Sequence, residues 1–168
     1  MKVMILGGDG YLGWPTAMHF AARGDEVCVI DNYLRRQISV ETDSEPLFTV
    51  PNLYERARIF QEVNGPTIKV VIGDCTNHEF LLNQVKDFSP DVIVHYAEQP
   101  SAPYSMTDYA SARLTLENNL GATFNVIWTV IEGAPDCHIV KLGTMGEYGT
   151  PDIDIEEDPK SCTNPSKR

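Results

Sequence analysis

Five short runs constrain this chain more than any other feature: residues 2–6 (KVMIL), 26–30 (EVCVI), 68–72 (IKVVI), 91–95 (DVIVH) and 138–142 (HIVKL). Each is mostly apolar and rich in β-branched residues rather than alternating, the pattern of strands covered on both faces. Helical patterns lie between them. Residues 11–23 read as a helix ended by Gly24, which suits a C′ position. Residues 77–88 begin at Asn77, a good N-cap, and place Phe80, Leu81, Gln84, Val85 and Phe88 on one stripe. A longer helix runs from Asp108 to about residue 132, stopped by Gly133 and Pro135. Strand–helix alternation of this kind implies right-handed crossovers and an α/β fold with a doubly wound parallel sheet of about five strands.

The connection from residue 33 to residue 66 is about twice the usual crossover length. Its first part, QISVETDSEPLFTVPN, has no clear period. Its second, LYERARIFQEV, reads as an amphipathic helix with Leu53, Ala57, Phe60 and Val63 on one face. Residues 1–157 form one domain-sized unit, and residues 158–168, without an apolar face, are expected to be a disordered tail.

The composition excludes several function classes. With 24 acidic against 13 basic residues the net charge is −11, and no basic stripe is present, so a nucleic-acid partner is not expected. The acidic run DIDIEED reads as a solvated loop. Cysteines at 28, 75, 137 and 162 form no C-x-x-C or His/Cys cluster, so no metal site is expected, and Cys28 fits a core thiol. The thiols suit a reducing compartment. The first apolar run after Lys2 is four residues long, too short for a leader, and no later run reaches about 18 residues, so no membrane insertion and a cytoplasmic location are expected.

The first strand opens into LGGDGYLG, which spaces Gly7, Gly10 and Gly13 as G-x-x-G-x-x-G. Gly7 permits a tight turn, Gly10 lets a pyrophosphate approach the backbone, and Gly13 lets the helix pack on the sheet. The amides of Gly10, Tyr11 and Leu12 would face the pyrophosphate, aided by the helix dipole. Asp31 ends the second strand, 18 residues past Gly13, and can accept two hydroxyls of an adenine ribose. A carboxylate there favours NAD over NADP. Arg35 and Arg36 follow closely; they either meet a phosphate or form a surface pair. Asp74 and Cys75, at the end of the third strand, could read an adenine edge, or Asp74 could cap the next helix.

Together with GD at 73–74, VHYAEQ at 94–99, NNLGAT at 118–123 and a strand-end Thr before YG at 148–149, these residues resemble the extended short-chain dehydrogenase/reductases that act on nucleotide sugars, the NAD-dependent epimerase/dehydratase family. DNYLRR (31–36), HYAEQPSAPYSM (95–106) and KLGTMGEYGTPDIDIEE (141–157) look like its sulfolipid-forming branch. The resemblance covers nearly all of residues 1–157. It implies a Rossmann-type domain, bound NAD, and conversion of UDP-glucose and sulfite to UDP-sulfoquinovose through oxidation at C4, loss of water across C5–C6, sulfite addition at C6 and return of the hydride. It also implies a homodimer for full-length relatives.

By the same resemblance Gly10, Tyr11 and Leu12 hold the pyrophosphate, Asp31, Asn32 and Arg35 the ribose, and Asp74 with Cys75 the adenine. Asn119 faces the cofactor, Gln99, Tyr104 and Glu147 stand on the substrate side, and Thr144 takes the place of a catalytic Ser/Thr. Pro100 stands where the resemblance expects an arginine. A Tyr-x-x-x-Lys motif, the family's base, occurs nowhere in the 168 residues. The expectation is therefore an NAD-binding part that is inactive alone, preceding a sugar-binding domain and leaving apolar surface uncovered. Another epimerase or dehydratase activity, or a non-catalytic nucleotide-binding relic, fits the same residues.

Overall fold

The computed structural model describes residues 1–44 and 46–144. Five parallel strands form one sheet in the order β3-β2-β1-β4-β5, where β1 is Lys2–Leu6, β2 Glu26–Asp31, β3 Ile68–Ile72, β4 Val92–His95 and β5 His138–Lys141. The helices are α1 (Gly13–Ala22), α2 (Leu34–Glu41), α3 (Leu53–Asn64), α4 (His78–Phe88), α5 (Ala102–Ser105) and α6 (Tyr109–Gly133). Every strand expected from the apolar runs is present, with ends moved by at most one residue. This is the doubly wound, Rossmann-like arrangement, and its strand order reverses between β1 and β4.

The two-residue period of β1 divides the core. Val3 and Ile5 point to the face covered by α1 and α3, where they meet Trp14, Ala17, Leu53 and Phe60. Met4 and Leu6 point to the other face, against Leu81, Val85, Phe88, Ala122, Val126 and Val130 of α4 and α6. All four of these β1 side chains are wholly buried. Strand β5 is exposed along most of its length, so the expectation of two covered faces does not extend to it. Helix α6 carries a second apolar stripe, Leu116, Leu120, Phe124, Ile127 and Ile131, that faces outward. No helix among the described residues is long and apolar enough to cross a membrane.

Two expectations change in the long connection. The segment read as irregular contains α2, which starts from Tyr33 in the left-handed region (φ 58°) without a side-chain cap. Tertiary contacts hold it: the Tyr33 hydroxyl accepts from the Leu53 amide at 2.9 Å, and Arg36 Nε donates to Asp9 Oδ2 at 2.7 Å. In α3, Leu53 and Phe60 are buried as expected, but Val63 is 75% exposed because it lies on the last turn. Asn52, Asn77 and Asp108 cap their helices by accepting from the third residue along.

The glycine turn fixes where α1 starts. Gly7 has φ +83°, and a Cβ there would lie 2.7 Å from the Tyr96 backbone. A Cβ on Gly13 would lie 2.0 Å from the Gly7 carbonyl oxygen, whereas one on Gly10 would lie 3.2 Å from the same atom. Gly13→Ala should therefore cost at least about 2 kcal/mol in urea unfolding, since a backbone oxygen cannot step aside. Gly10→Ala should cost clearly less in the same measurement.

Candidate functional site

The sequence leaves the N-terminus of α1 bare. Its N-cap, Leu12, has no side-chain acceptor, and Pro15 brings no N–H to the first turn. The backbone donors of the turn can be followed one by one. The Gly7 and Gly8 amides donate to the Ile30 carbonyl at 2.8 and 3.2 Å. The Asp9 amide donates to Asp31 Oδ2 at 2.9 Å, and the Gly10 amide closes a turn on the Gly7 carbonyl at 3.2 Å. Trp14 donates to the Gly10 carbonyl at 3.3 Å. That leaves Tyr11, Leu12 and Gly13, whose amides meet no acceptor among the described residues. The amides left without an acceptor are thus one residue along from the expected Gly10, Tyr11 and Leu12. Three unpaired amides at the positive end of a helix dipole suit a phosphate or pyrophosphate.

These amides open into a cleft of about 320 Å³ along the C-terminal ends of the strands. It lies at the strand-order reversal, where open α/β sheets place ligands. Gly7, Gly10, Tyr11, Leu12, Asp31, Asn32, Arg35, Asp74 and Cys75, all expected at a cofactor, line it together. Asp31 sits at its edge with Oδ1 accepting from the Tyr33 amide at 2.7 Å. Burial pushes its carboxyl above the ordinary range, against the amides of Asp9 and Tyr33. Two carboxylate oxygens offer about four lone-pair sites, so acceptor capacity remains for two ribose hydroxyls. Asp74 Oδ1 accepts from the Thr76 amide and hydroxyl at 2.8 and 2.7 Å, while Asn77 caps α4. The Cys75 amide has no acceptor among the described residues. Burial pushes the Cys75 thiol up to about 12, so that residue offers its backbone rather than a thiolate.

Behind the turn lies a charge cluster. Asp9 receives Arg36 Nε and Nη2 at 2.7 and 2.8 Å, and Arg56 Nη2 on Oδ1. Arg56 also donates to the Asp9 carbonyl at 3.0 Å and stacks on Trp14. The remaining bonds of Arg36 go to the carbonyls of Val50 and Pro51 at 2.9 and 2.7 Å. Arg36, expected at a cofactor, is therefore not in the cleft wall; its fork is taken by the Asp9 carboxylate.

The opposite wall is the loop after β4. Its buried hinge is His95, whose Nδ1 accepts from the Ala97 amide at 3.3 Å. That bond leaves the ring proton on Nε2, facing Thr123 Oγ1 at 3.3 Å. Asn119 does not face the cleft: its amide group clamps the Gln99 backbone, accepting from the N–H at 2.8 Å and donating to the carbonyl at 3.1 Å. Its neighbour Asn118 lines the cleft instead. Gln99 lines the cleft too, yet its side chain is 5% exposed and bonded to Ser101 and Thr115. Lys141 at the end of β5 pairs with Glu98 at 2.5 Å, and Leu142 closes that end of the cleft.

Tyr104 lies on α5 and is not part of the cleft wall. Thr144 is exposed, two residues beyond Leu142. Glu147 and the 158–168 tail lie outside the described residues. Asp9, Arg56, His95 and Asn118 were not expected. An aspartate inside a glycine turn was the one available signal, because such a charge is neutralised by residues distant in sequence.

The family model described as "NAD dependent epimerase/dehydratase family" matches residues 3–167. The chloroplastic UDP-sulfoquinovose synthase of Spinacia oleracea is 46% identical over 156 residues, covering 93% of this chain and 32% of the relative. The UDP-sulfoquinovose synthase of Sulfolobus acidocaldarius is 47% identical over 157 residues, covering 94% of this chain and 40% of the relative. The chain thus spans about a third to two fifths of the length of these relatives. Among solved structures, UDP-glucose 4-epimerase from Bifidobacterium longum, in complex with NAD+ and UDP, superposes with a TM-score of 0.71 at 19% identity, covering 94% of this chain and 42% of that one. The last likeness concerns the fold.

The buried His95 makes stability depend on pH. Burial, with Lys141 adding, lowers its pKa from 6.5 to about 4. Between those values the unfolded chain takes up a proton that the folded chain refuses, so stability falls as pH drops through this window. The full effect is up to roughly 3 kcal/mol. Urea titrations at several pH values should show that His95→Gln removes this part of the slope.

Proposed function

The chain belongs to the NAD dependent epimerase/dehydratase family, and we propose that it is the NAD-binding part of an enzyme that makes UDP-sulfoquinovose from UDP-glucose and sulfite. The observation that carries the cofactor reading is the bare start of α1, whose Tyr11, Leu12 and Gly13 amides share one cleft with Asp31. The likeness to the two synthases carries the choice of reaction. The free thiols of Cys28, Cys75 and Cys137 suit a reducing, cytoplasmic-type setting.

In this reading the three amides hold the pyrophosphate and Asp31 accepts the hydroxyls of the adenosine ribose, with Asn32 and Arg35 beside it. Asp74 and the Cys75 amide meet the adenine edge. Gln99 and Asn119 act by fixing the loop that forms the far wall, and Glu98, Lys141 and Leu142 border the sugar end. When bound, NAD supplies a nicotinamide that accepts a hydride from a sugar carbon, here C4. Thr144 would hold the hydroxyl whose proton leaves with that hydride. The Tyr and Lys of Tyr-x-x-x-Lys are not among the 168 residues, so binding without turnover is expected of this chain by itself.

Calorimetry should detect NAD+ binding, and Asp31→Asn should weaken it about 10- to 100-fold, the worth of hydrogen bonds to a charged acceptor. A folded chain that takes up no NAD+ would end the cofactor reading. For the reaction, a protein extended by the sugar-binding region should form product from UDP-glucose only with sulfite present. Product without sulfite would favour an epimerase or dehydratase.

A further inference from the structure

We propose that Asp9 is a specificity-determining residue: it occupies Arg36 and Arg56 so that neither of these two guanidinium groups can receive a 2′-phosphate, and thereby disfavours NADP. The inference rests on the NAD reading above and adds to the carboxylate of Asp31 a second, separate device.

Asp9 and Asp31 both line the cleft, and the Asp9 amide binds Asp31 Oδ2, so the two carboxylates stand on one wall. Arg36 and Arg56 do not line it. Their positive charge is directed inward onto Asp9, whose side chain is 8% exposed, against 35% for Arg36 and 13% for Arg56. Arg36 spends Nε and Nη2 on the Asp9 carboxylate, and Nη1 and Nη2 on the Val50 and Pro51 carbonyls. An arginine recognises phosphate through the same planar fork that it uses on a carboxylate, so one occupant excludes the other. Asp9 acts as a built-in substitute for the phosphate. The four charges of Asp9, Asp31, Arg36 and Arg56 sum to zero, and Arg35, which lines the cleft, stands outside this balance. Removing the Asp9 charge leaves a net positive charge and at least one guanidinium without its carboxylate.

The replacement Asp9→Asn keeps the size of the side chain and the backbone bond to Asp31 while removing the competing carboxylate. Binding of NAD+ and NADP+ is measured on the intact protein by calorimetry, with thermal melts to confirm folding. The wild type should bind NAD+ at least about 100-fold more tightly than NADP+. In Asp9→Asn, the affinity for NADP+ relative to NAD+ should rise at least about tenfold over the wild type, and adding Arg36→Met should abolish that relative gain. Equal changes for both cofactors, with no relative gain for NADP+, would overturn the assignment and leave Asp9 a scaffold residue. Arg36→Met alone provides a test that does not need Asp9→Asn to fold. It should leave the NADP+ to NAD+ ratio within about threefold of the wild type, whereas a selective loss of NADP+ affinity would mean that Arg36 already receives the phosphate. A folded wild type that binds neither dinucleotide would overturn the NAD reading itself, and this inference with it.

Discussion

A helix that begins at the C-terminal edge of a parallel sheet with no side chain to cap it must satisfy its first amides some other way, or leave them for a ligand. The start of α1 takes the second course. The turn before it consumes its own donors in order, on Ile30, Asp31 and Gly7, and stops three residues short of completing the count. Gly13 makes this possible, because any side chain there would strike the Gly7 carbonyl and push the helix away from the sheet. That close approach sets the start of α1 against the cleft wall that carries Asp31.

An aspartate in a turn with three open amides needs its own charge balanced, and the surrounding arginines do so. Asp9 is buried, and a buried carboxylate is tolerated only when paired and hydrogen-bonded. Arg36 and Arg56 pair it from α2 and α3, and these ion pairs, with Arg56 stacked on Trp14 of α1, tie both helices to the turn. The long connection between β2 and β3 is therefore a brace for the cleft. The opposite wall is stiffened by neutral groups: an imidazole that must stay uncharged to accept from Ala97, and an asparagine that reads both polar atoms of the Gln99 backbone. One wall is acidic and charge-compensated; the other is rigid and uncharged at its base.

Most of the frame was legible from residue order because it rests on local rules. Apolar β-rich runs marked the strands, Asn77 and Asp108 marked helix starts, and glycine spacing with Asp31 marked the cleft. What escaped the sequence depends on partners distant along the chain. Helix α2 has little local signal and exists through Tyr33 and Arg36. Arg36 read either as a phosphate contact or as half of a surface pair, because the position of Asp9 beside it cannot be read from spacing. Asn119 and Asn118 are adjacent on one helix, and only the packing of α6 decides which of them turns toward the cleft and which toward Gln99. The shift from Gly10 to Gly13 in the free amides came from a single turn hydrogen bond.

The proposed pyrophosphate site is the set of three uncommitted amides at the start of α1. Backbone amide NMR of the labelled protein, titrated with NAD+, tests it at those atoms. The account predicts that the amide resonances of Tyr11, Leu12 and Gly13 shift most strongly and in step with one another, while the Gly10 amide, held by Gly7, moves less. Saturable shifts centred elsewhere in the chain, with these three unmoved, would contradict it.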